Sequence, residues 1–189
     1  MAKLYFRYSS MGAGKSLDLL KVAYNYKERN KNVLIFTSDK DNRYEVGKVT
    51  SRIGIEEQAI LFTERSNIFK KINTLEKKPD CILFDESQFL TEQQVKQITD
   101  IVDELNIPVI CYGLRNDYKG NPFEGSCYLM ALADTIEEIK TICHCGKKAI
   151  MNLRIKNGEP IYEGEQVSIG GNESYISVCR KHYKQGKVK

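Results

Sequence analysis

The spacing of apolar positions changes period several times along the chain, and each change marks an element. Lys3 to Tyr8 reads as a short strand, and Ser9 to Ser16 is a run rich in small residues. From Ser16 to Arg29, the positions Leu19, Leu20, Val22, Ala23 and Tyr26 recur at helical spacing, so the opening predicts strand, loop, helix. Val33 to Thr37 is a second apolar run, followed by a polar, turn-prone segment from Ser38 to Gly54 that is long enough to be a functional element. A brief strand is predicted at Ala59 to Phe62, a helix at Asn67 to Leu75 and a buried strand at Cys81 to Phe84. Thr91 is placed to cap a helix carrying Val95, Ile98, Ile101, Val102 and Leu105, with Gln94 three residues on to complete a capping box. Pro108 to Tyr112 predicts the next strand, and Ser126 to Ala133 a helical turn or two. Strands alternating with helices imply an α/β fold, with a mostly parallel sheet flanked by helices on both faces.

After Ile142 the pattern changes. Cysteines, Gly-rich turns and short alternating stretches, such as Glu165 to Ile169 and Tyr175 to Val178, replace the long apolar runs. The expected division is an α/β domain over 1–142 and a smaller unit over 143–189.

Composition narrows the class. Hydrophobic residues at 41% and charged residues at 29% of 189 match an ordinary globular chain. The net charge of +4 is spread among 25 acidic residues, with its densest basic run from Arg180 to Lys189, which reads as a solvated tail. No stretch approaches the ~20 apolar residues of a membrane span, and the strand pattern begins at once from Met1. A cytoplasmic location without a membrane partner is the expectation. Disulfides are not expected there, and Cys143, Cys145 and Cys179 lie beside polar and basic residues, which points to a metal.

Ser9-Ser10-Met11-Gly12-Ala13-Gly14-Lys15-Ser16 matches the phosphate-loop pattern G-x-x-x-x-G-K-[ST] at every defining position except the first. Small residues let backbone N–H groups wrap phosphates, and the following helix offers its positive N-terminal end. Lys15 then reaches the β/γ-phosphates of ATP and Ser16 places its hydroxyl on Mg²⁺. A strand before the loop and a helix after it supply the context this motif requires. The strand Cys81 to Phe84 emerges into Asp85-Glu86 at its carboxyl end, the edge where α/β sheets bind ligands. Asp85 suits a Walker-B role toward Mg²⁺, and Glu86, pointing elsewhere, faces a phosphate acceptor.

With Asp41-Asn42-Arg43-Tyr44, Asp85-Glu86-Ser87-Gln88-Phe89, Tyr112-Gly113-Leu114, Pro122-Phe123, Ile169-Gly170-Gly171 and Tyr175 through Cys179, the chain resembles the thymidine kinase family found in bacteria, animals and large DNA viruses. The likeness covers nearly the whole chain. It implies ATP and thymidine as substrates, Glu86 as general base for the 5′-hydroxyl, and Gln88 and Arg43 beside the ATP and Mg²⁺ group. It further implies a lasso from Glu163 to Tyr175 that holds the base through main-chain groups of Gln166, Val167, Ser168, Ile169 and Gly170. Met11, Leu114 and Tyr175 match positions around the thymine methyl, Phe89, Tyr118 and Phe123 match the apolar walls, and Asp41 matches a position near the ribose. A homotetramer is implied by the same likeness. Two departures stand out: Ser9 replaces the usual first Gly, and Cys143-His144-Cys145 replaces Cys-x-x-Cys.

Cys143, Cys145, Cys179 and His182 offer three sulfurs and an imidazole, the donor set of a closed structural Zn²⁺ site, with His144 as an alternative donor. The competing classes are a phosphate-loop kinase of another small acceptor and a zinc-ribbon nucleic-acid module joined to an ATP-driven switch. No basic stripe with interleaved aromatics tracks a nucleic-acid backbone, so no nucleic-acid partner is expected.

Overall fold

A computed structural model describes residues 1–41, 46–167 and 174–189. Its elements run β1 (Leu4–Ser9), α1 (Lys15–Glu28), β2 (Val33–Ser38), β3 (Lys48–Thr50), β4 (Glu56–Gln58), β5 (Ile60–Phe62), α2 (Ile68–Asn73), β6 (Cys81–Phe84), α3 (Glu92–Leu105), β7 (Val109–Leu114), α4 (Glu124–Leu132) and β8 (Thr135–Glu138). They continue with β9 (Thr141–Ile142), β10 (Lys148–Ala149), β11 (Met151–Lys156), β12 (Glu159–Ile161), β13 (Tyr175–Val178) and α5 (Arg180–Gln185).

Six strands form one sheet in the order β5-β2-β6-β7-β1-β8, and each pairing in it is parallel. Period-two alternation sends neighbouring side chains to opposite faces. Thus Ile82 and Phe84 join Phe6, Phe36 and Val109 under α2, α3 and α4, while Cys81 and Leu83 join Ile35 and Leu19, Leu20 and Ala23 of α1. Full burial of such an aliphatic or aromatic side chain stabilises by about 1.5–3 kcal/mol, so this two-faced core dominates the fold. The expected α/β architecture is therefore present. Both hydrogen bonds of the Thr91/Gln94 capping box form at the start of α3, which stops the chain cleanly after the β6 loop.

The C-terminal region is built differently. β9 and β10 make a hairpin that straddles residue 142, and β12-β11-β13 make a three-stranded antiparallel sheet. Cys143, Ala149, Leu153, Val178 and Cys179 form one buried apolar cluster in it, and Tyr175 of β13 is buried as well. The basic run expected as a tail is helical through Gln185, because Tyr183 of α5 donates to the Tyr118 carbonyl at 2.8 Å and so docks the helix. Glu165 to Val167 form no strand despite their alternation. The carbonyls of Glu163 and Glu165 lie 3.0 and 2.9 Å from the Tyr118 hydroxyl, which takes up that stretch in place of a ladder. No helix among the described residues is long and apolar enough to cross a membrane.

Candidate active site

Parallel strands place their carboxyl ends on one edge, and two loops meet there: the phosphate loop after β1 and Asp85-Glu86 after β6. Gly14 takes φ 85°, which lets the chain turn into α1, and no side chain caps that helix. Its first N–H groups are thus left for an anionic ligand. Lys15, only 8% exposed, donates to Ser9 Oγ at 3.0 Å and to the Ser10 carbonyl at 3.3 Å. The hydroxyl that replaces the motif's first glycine hydrogen is therefore an acceptor that orients the loop's lysine.

Ser16 Oγ donates to Asp85 Oδ2 at 2.9 Å, closing the two loops on each other. Burial and the neighbouring Glu86 charge push the Asp85 carboxyl up to about 7, against the opposing pull of Ser16 and Lys15. A buried carboxylate under that load is a seat for a cation, and a hydroxyl beside it completes a hard oxygen donor pair suited to Mg²⁺.

Glu86 adopts φ 51°, the left-handed region that costs a non-glycine residue energy, and the turn Ser87–Phe89 follows at once. Its Oε2 accepts a short hydrogen bond from Gln88 Nε2, while Gln88 Oε1 accepts from the Leu114 N–H at 3.0 Å. Gln88 thereby bridges Glu86 to the end of β7. Space for this turn comes from two glycines: a Cβ on Gly113 would lie 2.7 Å from Ser87 Oγ, and one on Gly125 would lie 2.6 Å from the Leu90 carbonyl.

Two cavities adjoin at this edge. One is bordered by Gly12, Gly14, Lys15, Ser16, Lys48, Arg52 and Asp85, among others. The other is walled by Phe89, Tyr118, Phe123, Gln166, Val167 and Tyr175, with Lys40, Gln88, Asp117 and Asn152 also on its border. Phe89 and Phe123 meet edge to face with centroids 5.8 Å apart, and Tyr118 and Tyr175 likewise at 6.3 Å. Met11, Asp41, Glu86 and Leu114 border both. Every described residue expected at the nucleoside thus meets in one cavity. Among those expected at the phosphates, Ser9, Ser10 and Ala13 do not border the phosphate-loop cavity, and Gln88 borders the apolar one. Arg43, Ser168, Ile169 and Gly170 lie outside the described residues.

Lys40, Lys48, Arg52, Asp117 and Asn152 were not singled out by sequence reasoning. Lys48 and Arg52 stand on the β3–β4 hairpin inside the polar segment flagged as functional, so their region had a signal. Arg52 reaches over the loop, its Nη1 lying 3.2 Å from where a Gly12 Cβ would be, and it pairs with no carboxylate among the described residues. Asn152 had no signal at all, since nothing in its neighbourhood resembles a motif.

About the C-terminal sheet, the donor atoms of Cys143, Cys145, Cys179 and His182 all lie within 4.8 Å of one another. Cys143 Sγ is 3.3 Å from His182 Nδ1 and Cys145 Sγ is 4.0 Å from Cys179 Sγ. Three sulfurs and an imidazole nitrogen at such spacings can hold a tetrahedral zinc ion. His144 instead stacks on His182, ring centroids 4.4 Å apart.

A parallel sheet with a phosphate loop after its first strand, paired acids at a neighbouring strand end and an adjoining apolar cavity define a phosphate-loop α/β protein of the phosphotransferase kind. The chain belongs to the thymidine kinase family, whose model matches residues 2–183. It is 58% identical to the thymidine kinase of Mannheimia succiniciproducens, covering 98% of this chain and 96% of that one. Thymidine kinases of Haemophilus influenzae, at 57%, and Lactococcus lactis, at 54%, match over 98% and 97% of this chain and 97% of their own length.

Proposed function

We propose that this chain transfers the γ-phosphoryl group of ATP to the 5′-hydroxyl of thymidine, giving thymidine monophosphate and ADP. The observation that carries this reading is Glu86, buried at the junction of the phosphate-loop cavity and the apolar cavity. A carboxylate there can accept the 5′-hydroxyl proton as the nucleoside oxygen bonds to the γ-phosphorus and the bond to the β-phosphate bridging oxygen breaks. Gln88 holds that carboxylate, and the strained backbone at Glu86 aims it.

Lys15 and Arg52 are the cations positioned to neutralise the triphosphate, joined by the N–H groups at the start of α1. Arg43 is assigned to the same charge by the family likeness. Ser16 and Asp85 would hold Mg²⁺, which when bound would neutralise phosphate charge during transfer. Phe89 and Phe123 wall the base, Met11, Leu114 and Tyr175 surround its methyl, Asp41 meets the ribose, and Gln166 and Val167 close over the base, a role the family likeness extends to Ser168, Ile169 and Gly170. The Cys143, Cys145, Cys179 and His182 set would hold structural Zn²⁺. Assembly as a homotetramer and a cytoplasmic setting belong to the same reading, which needs neither nucleic acid nor a membrane.

The test is a panel of nucleosides with Mg·ATP and identification of each product. Thymidine is expected to react fastest. A methyl pocket contributes ~1 to 3 kcal/mol, so deoxyuridine should be poorer by about 5- to 150-fold. Deoxycytidine, which presents a donor where thymine has an acceptor, should be rejected more strongly. Preference for deoxycytidine or a purine nucleoside would overturn the assignment.

A further inference from the structure

Both main-chain polar groups of Met11, at the apex of the phosphate loop, are taken by side chains of the C-terminal sheet. Its N–H donates to Asn152 Oδ1 at 2.8 Å, and its carbonyl accepts a short hydrogen bond from the Ser177 hydroxyl. Asn152 and Ser177 are cross-strand partners in the β11–β13 register, so one rung of that sheet clasps one residue of the loop. Asn152 is 2% exposed and fixed from its other end, where Nδ2 donates to the Asn116 carbonyl at 3.0 Å. Ser10 Oγ adds a weaker tie to the Ala149 carbonyl at 3.4 Å.

This arrangement has a chemical consequence. In a phosphate loop the backbone N–H groups are the ligands, so their directions decide affinity. Met11 has spent its own N–H on Asn152 and cannot turn it toward a phosphate, which leaves the peptides from Gly12 onward to form the cradle. Met11 also borders both cavities, so its main chain sets where the nucleotide pocket ends and the acceptor pocket begins.

We infer that Asn152 and Ser177 are positioning residues for ATP: the C-terminal sheet holds the phosphate loop in its binding conformation through the Met11 peptide. The inference rests on the reading of this loop as the ATP site. Ser177 is the cleaner probe because, unlike Asn152, it does not border the apolar cavity.

The experiment measures binding of a non-hydrolysable ATP analogue with Mg²⁺, together with thermal stability, for Ser177→Ala, Ser177→Thr, Asn152→Ala and the double alanine variant. Each alanine is expected to weaken the analogue by about 3- to 10-fold, the worth of one net hydrogen bond. Ser177→Thr keeps the hydroxyl and should restore binding. The double variant should lose less than the product of the two singles, because both act on one peptide. Lowered melting temperatures with unchanged analogue affinity would overturn the inference, leaving the clasp merely structural. Because the readout is nucleotide binding, it decides the clasp even if thymidine proves not to be the acceptor.

Discussion

The six-stranded sheet and the C-terminal Cys/His unit meet at the phosphate loop but are stabilised by different means. On the sheet, Phe6, Phe36, Ile82 and Phe84 are buried on one face and Ile35, Cys81 and Leu83 on the other, where they meet Leu19, Leu20 and Ala23 of α1, so that helices cover both faces. The buried apolar cluster of the C-terminal unit is Cys143, Ala149, Leu153, Val178 and Cys179, and two of these five are prospective metal ligands. Met151, Ile155, Ile176, Tyr183 and Val188 pack on that cluster only partly buried, and for small cores of this kind metal ligation is a known supplement. Rigidity therefore has two sources: the acids after β6 stand on the sheet with its two-faced core, whereas the acceptor cavity borrows Tyr175, Gln166 and Val167 from a region whose Cys/His cluster could hold a metal ion.

The largest effect should fall on the sheet side. Glu86→Gln removes the base while keeping a side chain that Gln88 can still hydrogen-bond, so kcat should drop by ~10² to 10⁴-fold with ATP affinity and melting temperature near those of the wild type. Steady-state kinetics with a binding titration check this, and a kcat within a few-fold of wild type would remove Glu86 from the chemistry. A smaller effect is expected at Gly125→Ala, where the new methyl meets the backbone carbonyls of the Glu86 to Leu90 turn. Overpacking of this kind costs ~1–3 kcal/mol and should lower kcat as the turn shifts. Calorimetry and turnover should move together; a stable, fully active variant would show that the turn is not held by close packing.

The smallest effect should come from Thr91→Ala, which removes half of the capping box of α3 at a residue that lines neither cavity. It should cost ~1 kcal/mol, or roughly 2–4 °C in melting temperature, without changing either substrate's KM. A change in KM would mean that α3 is coupled to the site.

What could be read from the sequence follows the same division. Strand, phosphate loop and α1, the Cys81 to Phe84 strand with its acids, and the Thr91/Gln94 cap are local patterns set by neighbours in sequence, so each was legible to within a few residues. Phe89, Phe123 and Tyr118 were legible as cavity walls only through the family likeness, because apolar aromatics carry no mark that separates wall from core. Asn152 and Ser177 were illegible, since their task depends on a rung of antiparallel sheet finding Met11 across a separation of more than 140 residues. The helix at Arg180–Gln185 was hidden by its basic composition, which reads as solvated until Tyr183 finds the Tyr118 carbonyl. Arg52 fell between: its segment was marked as functional, but the hairpin that aims it has exposed Ile53 and Ile55 and no core-facing period to reveal it.

The division between the two regions is tested most directly by hydrogen exchange on the protein as purified and after zinc is stripped by a strong chelator, with the metal counted in both samples. About one zinc per chain is expected before stripping. After stripping, exchange should rise across residues 143–161 and 174–183 and at the Met11 amide, while α1 and β6 keep their protection. Absence of zinc from the purified protein, or equal loosening of the sheet and the C-terminal unit, would contradict that division.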